Sequence, residues 1–444
     1  MTTVTKEVCI VGNGPNAYLA ARVLLEHGIK VTLIDSHRDT SAGTTLFKKF
    51  VLKNREQKGD LYAQGIPIAS KAKGSVMPIE TRRAGGLTNL WGGMFFPPYL
   101  PYYKEKFSID NLDFEEAVRY FSENLFFERS GAQNWNELVT KELLLTEDKV
   151  IHLTPQIALN EKGDIWNSTS LFEQLSHKNL TRINGTLVRI SPNKDNLILR
   201  IRLDNSFNEF ESNNLLLACG PIGNAKIIAN SMGDSGKINL ADSGVSYHLT
   251  ISLKSQPHIQ NEMRSEKCGF YFRNGSLRGY YQHYYFSKEL IGSIKYPIVR
   301  RLARIANTLS GDRLGLVMIF RNDIDSNFIE ITKSKEMLHL AERRRSNVKN
   351  NLGIFWNISK SIFFKGIIVL PLFLRGGAGE GAHTAGPNLD ELKNANPGEA
   401  LLEELGNRIH LLGMSCDDRV LAGPVTYLSF VLTLRKLEAL LSDG

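Results

Sequence analysis

The chain of 444 residues is poor in cysteine: Cys9, Cys219, Cys268 and Cys416 are all it has, in neither paired nor CxxC spacing. That scarcity argues against a disulfide framework or a structural zinc and fits a reducing compartment. Cys9 and Cys219 lie inside apolar, strand-like runs, where a thiol behaves as a small hydrophobe. Long hydrophobic runs are also missing, since none approaches the ~20 residues that a bilayer-spanning helix needs. The first strand-like run begins within the first ten residues, leaving no room for a cleavable leader, so the expected location is cytoplasmic. No nucleic-acid-binding module occurs and the arginines do not alternate with stacking aromatics, which excludes nucleic acid as a partner. What remains, at 42% hydrophobic residues, is enough for a sizeable core. The length exceeds one ordinary core, so the expectation is two domains or one with a large insertion.

Glycine is placed with evident purpose. In VCIVGNGPNA the apolar run Val8, Cys9, Ile10 and Val11 reads as a buried parallel strand. Gly12 and Gly14 open a tight turn that lets the backbone approach a pyrophosphate, and Ala17 fills the third small position. Ala20, Val23 and Leu24 follow at helical spacing, so Pro15, Asn16 and Ala17 open a helix whose first N–H groups point at the phosphates. Gly28 stops that helix, and a second apolar run at 31–34 ends in Asp35, a carboxylate suited to a ribose diol. Strand, glycine turn, helix, strand and terminal acid in this order are the context that the dinucleotide fingerprint requires.

The formal charge of +8 is unevenly spread, with Arg300, Arg301 and Arg304 in one cluster and Arg343, Arg344, Arg345 and Lys349 in another. Nearby, residues 362–374 (IFFKGIIVLPLFL) are almost wholly apolar and too short to span a bilayer. Two readings stand: peripheral docking on an anionic membrane face, or a buried strand flanked by solvated arginines.

A second glycine segment, AGGLTNLWGGM, sets Gly85, Gly86, Gly92 and Gly93 around Thr88, Asn89 and Trp91. Paired glycines on both sides of a short polar and aromatic stretch indicate backbone passing close to a large flat ligand. Here the order of motifs resembles the glucose-methanol-choline (GMC) family of flavin oxidoreductases, in the branch with a GGxSxxWGG-type segment. By that resemblance Gly86, Thr88, Asn89, Trp91 and Gly92 contact FAD. Leu90 stands where some relatives carry a flavin-linking histidine, so the FAD is expected to be noncovalent.

The third segment begins with alternating runs at 187–190 and 197–203, joined by a turn at 192–195, and continues into a buried strand that meets Gly220. It resembles the family's β-meander returning to the nucleotide sheet, with Val188 meeting adenine and Cys219 and Gly220 near the adenosine. Further on, Asn274 and Gly275 form a hairpin turn. Beyond it Tyr280, Gln282 and Tyr284 alternate with Tyr281, His283 and Tyr285. One face is core and the other lines a substrate site; Tyr281, His283 and Tyr285 are the candidate substrate residues, suited to a polyhydroxylated or ring-shaped alcohol.

His383, in HTAG, matches the family's HxxG, where a histidine faces the reacting ring of the flavin. An imidazole of ordinary pKa ~6.5 suits removal of a hydroxyl proton near neutrality. Gly377, Gly379 and Ala382 imitate a second nucleotide fingerprint, but Pro387 ends any helix too soon for an NAD(P)H site. The terminal region resembles the family's closing strand, acidic turn and helix, with Ser415 and Thr426 near the flavin and Asp417 or Asp418 at the acidic position. Gly423 stands where the family places a second catalytic Asn or His. Either Thr426, Tyr427 or a backbone N–H substitutes, or the protein is a redox-neutral or non-catalytic flavoprotein.

The implied fold class is α/β, a Rossmann-like FAD-binding domain with a second α+β domain built on an antiparallel sheet. The expected boundaries are 1–105, 150–240 and 376–444 for the first, and 106–149 with 241–375 for the second. The expected activity is oxidation of an alcohol, on a sugar or a lipid-linked glycan, with His383 as base. Oxygen, a quinone or a protein accepts the electrons, and the sequence does not choose among them.

Overall fold

The computed structural model describes residues 7–35, 68–70, 86–89, 94–95, 107–109, 111–121, 126–128, 148–153, 156–160, 166, 168–203, 206–233, 236–254, 267–273, 276–286, 291, 297–311, 313–321, 327–334, 337–344, 348–375, 384–417 and 426–442. A five-stranded parallel sheet lies at its centre, in the order Ile409–Leu411, Leu215–Leu217, Glu7–Val11, Lys30–Asp35 and Leu180–Asn184. Both faces of this sheet are covered, which is why its strands are apolar throughout. Ile10, Leu33 and Leu216 point to one side, into a core shared with the helices Pro15–Glu26 and Thr426–Ser442. Cys9, Val11, Leu215 and Leu217 point to the other, against the helix Gly220–Ser231 and a three-stranded meander, Thr186–Pro192, Leu197–Leu203 and Ser206–Ser212. The meander and its tight turn, closed by Asn193 N donating to Asn196 O (2.8 Å), fall where the alternation predicts them.

The second large element is a six-stranded sheet, Ile367–Arg375, Gly244–Ser252, Leu314–Arg321, Ser276–Tyr285, Lys267–Arg273 and Lys149–Leu153, antiparallel at every pairing. The helix Val348–Phe363 lies across one face and packs Ile354, Ile358 and Ile362 on Tyr281, Val317 and Ile319. The other face, with Phe270, Tyr280 and Phe320, merges with the core beneath the nucleotide sheet. The fold class is therefore mixed α/β, a parallel nucleotide-type sheet joined to separate antiparallel sheets.

Three expectations shift. The strand Lys149–Leu153 pairs with Lys267–Arg273 and belongs to the antiparallel sheet, not to the nucleotide side. The hairpin Asn327–Ser334 with Met337–Arg344 pairs with Lys237–Asp242 instead, and it sends Ile329, Ile331 and Leu338 into the core of the nucleotide side. The apolar run 362–374 is not one element. Ile362 and Phe363 end a helix, Phe364 to Gly366 turn, and Ile367–Arg375 is an edge strand, where Pro371 is tolerated. Among the described residues, no helix is long and apolar enough to cross a membrane.

Candidate cofactor site

The site forms at the carboxyl ends of the parallel strands, the crevice where open α/β sheets receive ligands. Gly12 (φ +136°) turns the chain there, its N–H donating to Ile34 O (3.1 Å). A Cβ at Gly12 would lie 2.6 Å from the Ala218 carbonyl oxygen, so this turn and the end of the strand Leu215–Leu217 touch backbone to backbone. Val11 O accepts from Ala218 N (2.8 Å) and from Cys219 Sγ (3.3 Å), tying the first glycine segment to the third. Gly86 (φ +56°), opening the turn Gly86–Asn89, brings in the second: a Cβ on it would lie 2.9 Å from the Gly14 Cα.

A fourth segment arrives from the far end of the chain. Gly413 packs so closely on Asn16 that a Cβ would meet its Nδ2 at 2.5 Å. Gly413 N donates to Thr433 Oγ1 (2.9 Å), which lies 3.1 Å from Asn16 Oδ1, while Asn16 Nδ2 reaches Ser429 Oγ at 3.4 Å. The Asn16 side chain is thereby a clamp between the first and last helices, and only its backbone is left to face a ligand.

Asn224 is the residue that sequence reasoning missed. Buried in the helix Gly220–Ser231, its Oδ1 accepts from Cys219 N (2.9 Å), and its Nδ2 donates to Leu217 O and to Ser415 Oγ, both at 2.9 Å. One amide thus fixes the turn at Cys219 and Gly220 against the buried Ser415. Its signal in the sequence was an asparagine amid apolar residues in PIGNAKIIA.

The remaining candidates are distributed as follows. Pro15 occupies the first turn of its helix and Ala17 is buried. Asp35 ends the second strand, partly buried, its carbonyl accepting from Gly185 N (2.8 Å). Val188 O accepts from Asn230 Nδ2 (2.7 Å), and Thr426 opens the terminal helix. Thr88 is buried and bonds Ser168, accepting from its N–H at 3.1 Å and meeting its Oγ at 3.2 Å, so its hydroxyl anchors the turn that carries Gly86. The side chain of Asn89 and residues Trp91, Gly92, His383 and Gly423 lie outside the described residues. Thr384, the residue after His383, pairs with Asp242, and Gly386 N donates to Met414 O (3.1 Å) beside Ser415.

The candidate substrate residues make contacts within the six-stranded sheet. Tyr281 and His283 are buried beneath the helix Val348–Phe363 and are engaged there. Tyr281 OH meets His152 Nδ1 at 2.6 Å, His152 Nε2 meets Ser361 Oγ at 2.5 Å, and His283 Nε2 meets Thr250 Oγ1 at 2.9 Å. Tyr285 sets its ring edge-on against His283, 4.7 Å between centroids. Burial, reinforced by Lys267, pushes the His283 imidazole down to about 3, and burial with Lys365 and Lys267 lowers His152 to about 4; both are neutral in the fold. The alternate set is linked on the opposite face of the strand. Gln282 Nε2 donates to Tyr280 OH (2.9 Å) and Tyr284 OH donates to Gln282 Oε1 (2.5 Å), on the sheet face whose core also holds Ala385, Met414 and Ala17.

An anionic dinucleotide fits the cradle. The helices Pro15–Glu26 and Gly220–Ser231 begin there with neither an acidic residue in the first turn nor a side-chain cap. The positive end of each helix dipole favours negative charge. The rim is built of backbone at residues 12–14, 86, 219–220 and 413, where little side chain stands in the way. Residues 5–49 match the family described as FAD binding domain. No curated protein matches the chain in sequence. In fold it is similar to pyridoxine 4-oxidase from Mesorbium loti, with TM-score 0.60 and 10% identity over 99% of both chains. The match in sequence and the cradle in space agree: the chain carries an FAD-binding domain, and FAD is its cofactor.

Proposed function

We propose that this protein is a flavin oxidoreductase of the GMC type that oxidises an alcohol, with its FAD held noncovalently. The observation that carries the reading is the convergence of segments around residues 12–16, 86, 218–224 and 413–415 on one crevice. Support comes also from the end-to-end likeness of fold to a protein named as an oxidase. FAD, when bound, supplies the acceptor for two electrons. The chain's own residues bind and aim. The glycine turn at Gly12 and Gly14 receives the pyrophosphate, Gly12 by its shape because its N–H donates to Ile34 O, and Asp35 holds the adenosine ribose. Gln282 and the half-buried Tyr284 present linked polar tips that orient a hydroxyl group. His383 removes the hydroxyl proton, an imidazole of ordinary pKa ~6.5 being matched to that task near neutrality.

Two measurements test the proposal. Mass spectrometry of small molecules released from the purified protein, with a visible spectrum, identifies the flavin. Anaerobic bleaching of that flavin by a panel of alcohols, lost in His383→Ala, establishes the reaction. A flavin that no alcohol bleaches sinks alcohol oxidation and favours a redox-neutral or binding role, the reading that Gly423 in place of an Asn or His supports.

A further inference from the structure

The helix Pro297–Leu309 is inside out. Among its described side chains the half-buried or buried ones are Arg300, Ala303 and Asn307, with Asn307 only 8% exposed. Its outward positions are Ile298 (75% exposed), Leu302 (60%), Ile305 (49%) and Leu309 (82%). Steps of four, three and four residues put those side chains in one stripe. A helix with a core to cover turns such a stripe inward; this one turns it to solvent.

The stripe does not end with the helix. Leu309 is followed by a short turn to Arg313, whose carbonyl accepts from Ser252 N (2.8 Å); the next residue, Leu253, donates its N–H to Gly366 O (2.7 Å). Those two bonds bring the exposed side chains of Leu253, Phe363 and Phe364 to the same end of the six-stranded sheet, Phe364 being 77% exposed. Charge there is mostly positive, with Asp312 the one acid in residues 297–321. Residues 348–366 contain no aspartate or glutamate, and Arg301, Arg304, Arg313, Lys360 and Lys365 are exposed on the two segments.

We propose that this surface docks the protein on an anionic lipid bilayer, the helix lying flat with its apolar stripe in the headgroup layer. Exposed leucine, isoleucine and phenylalanine beside an excess of arginine and lysine are the composition of interfacial helices, and the basic residues add attraction to anionic headgroups. A second copy of this chain is a poor occupant, because an isologous contact would set the same basic residues against each other. Nucleic acid fits no better, since its phosphates would meet an apolar stripe.

The test uses the full flavin-loaded chain and vesicles of phosphatidylcholine with or without phosphatidylglycerol. Co-sedimentation is expected with the phosphatidylglycerol vesicles, falling as salt rises and weak on pure phosphatidylcholine. Leu302→Ser with Leu309→Ser is expected to weaken binding by about tenfold or more, with melting temperature and flavin spectrum unchanged. Arg301→Gln with Arg304→Gln is expected to reduce binding to the anionic vesicles alone. The proposal is overturned by no binding at low salt, by binding that the leucine pair leaves unchanged, or by a dimer in analytical ultracentrifugation that the leucine pair breaks.

Discussion

The cofactor cradle and the roofed face of the six-stranded sheet are both buried and both polar, yet they are built by opposite means. In the cradle, backbone meets backbone: Gly12 against Ala218, Gly86 against Gly14. Under the helix Val348–Phe363, side chain meets side chain, in the pairs Tyr281 with His152 and His283 with Thr250. The first arrangement brings distant segments of backbone together because side chains are missing. The second fills its space with those side chains. Neutral histidines serve packing in the second region.

The comparison is broken most severely at Gly12. A Gly12→Val variant adds a Cβ against the Ala218 backbone at a φ that β-branched residues avoid. Loss of bound flavin by more than about tenfold is expected, read as flavin per polypeptide by absorbance, and full occupancy in that variant would refute the cradle.

Acid acts on the buried histidines next, His410 of the parallel sheet included, its imidazole lowered to about 4 chiefly by burial. The imidazoles of His152 and His248 are lowered to about 4 and that of His283 to about 3, each chiefly by burial. Their folded values lie below the unfolded value of ~6.5, so the stability they contribute is complete above that pH and is lost as pH falls toward 4. Urea midpoints measured from neutrality downward should fall, by of the order of 2 kcal/mol for each fully buried histidine by about pH 4.5. His283→Asn should flatten the profile, and an unchanged slope would contradict the assignment.

Smaller effects sharpen the contrast. Asn224→Leu deprives Cys219 N, Leu217 O and Ser415 Oγ of their partner. A cost of about 2–3 kcal/mol is expected by thermal or urea unfolding, with weaker flavin retention. Gln282→Leu should alter KM or kcat toward alcohols while flavin content stays intact. Tyr281→Phe should leave kinetics alone and lower stability by about 1 kcal/mol; a kinetic effect of Tyr281→Phe as large as that of Gln282→Leu would return the substrate role to the roofed face.

The sequence revealed the cradle because its requirements are local. A glycine at 12 or 86 follows from the turn at that residue, and the strand, helix and meander around it carry their own periodicity. It also revealed the alternation along residues 280–285. It did not reveal which of the two faces is roofed, because that depends on a helix some 70 residues away, Val348–Phe363. The same limit applies to Asn16 and Thr88, whose partners Thr433 and Ser168 are remote in the chain. Strand pairing is a further thing that order along the chain does not carry: Lys149–Leu153 pairs with Lys267–Arg273, and Asn327–Ser334 with Lys237–Asp242.

The clamp of Asn16 between Gly413, Ser429 and Thr433 bears on how the enzyme is made. A nascent chain displays its first glycine turn early, but the wall opposite is not synthesised until some 400 residues later. Cofactor capture is then one of the last events of maturation, and a polypeptide interrupted before that stretch would leave the ribosome with half a seat for FAD.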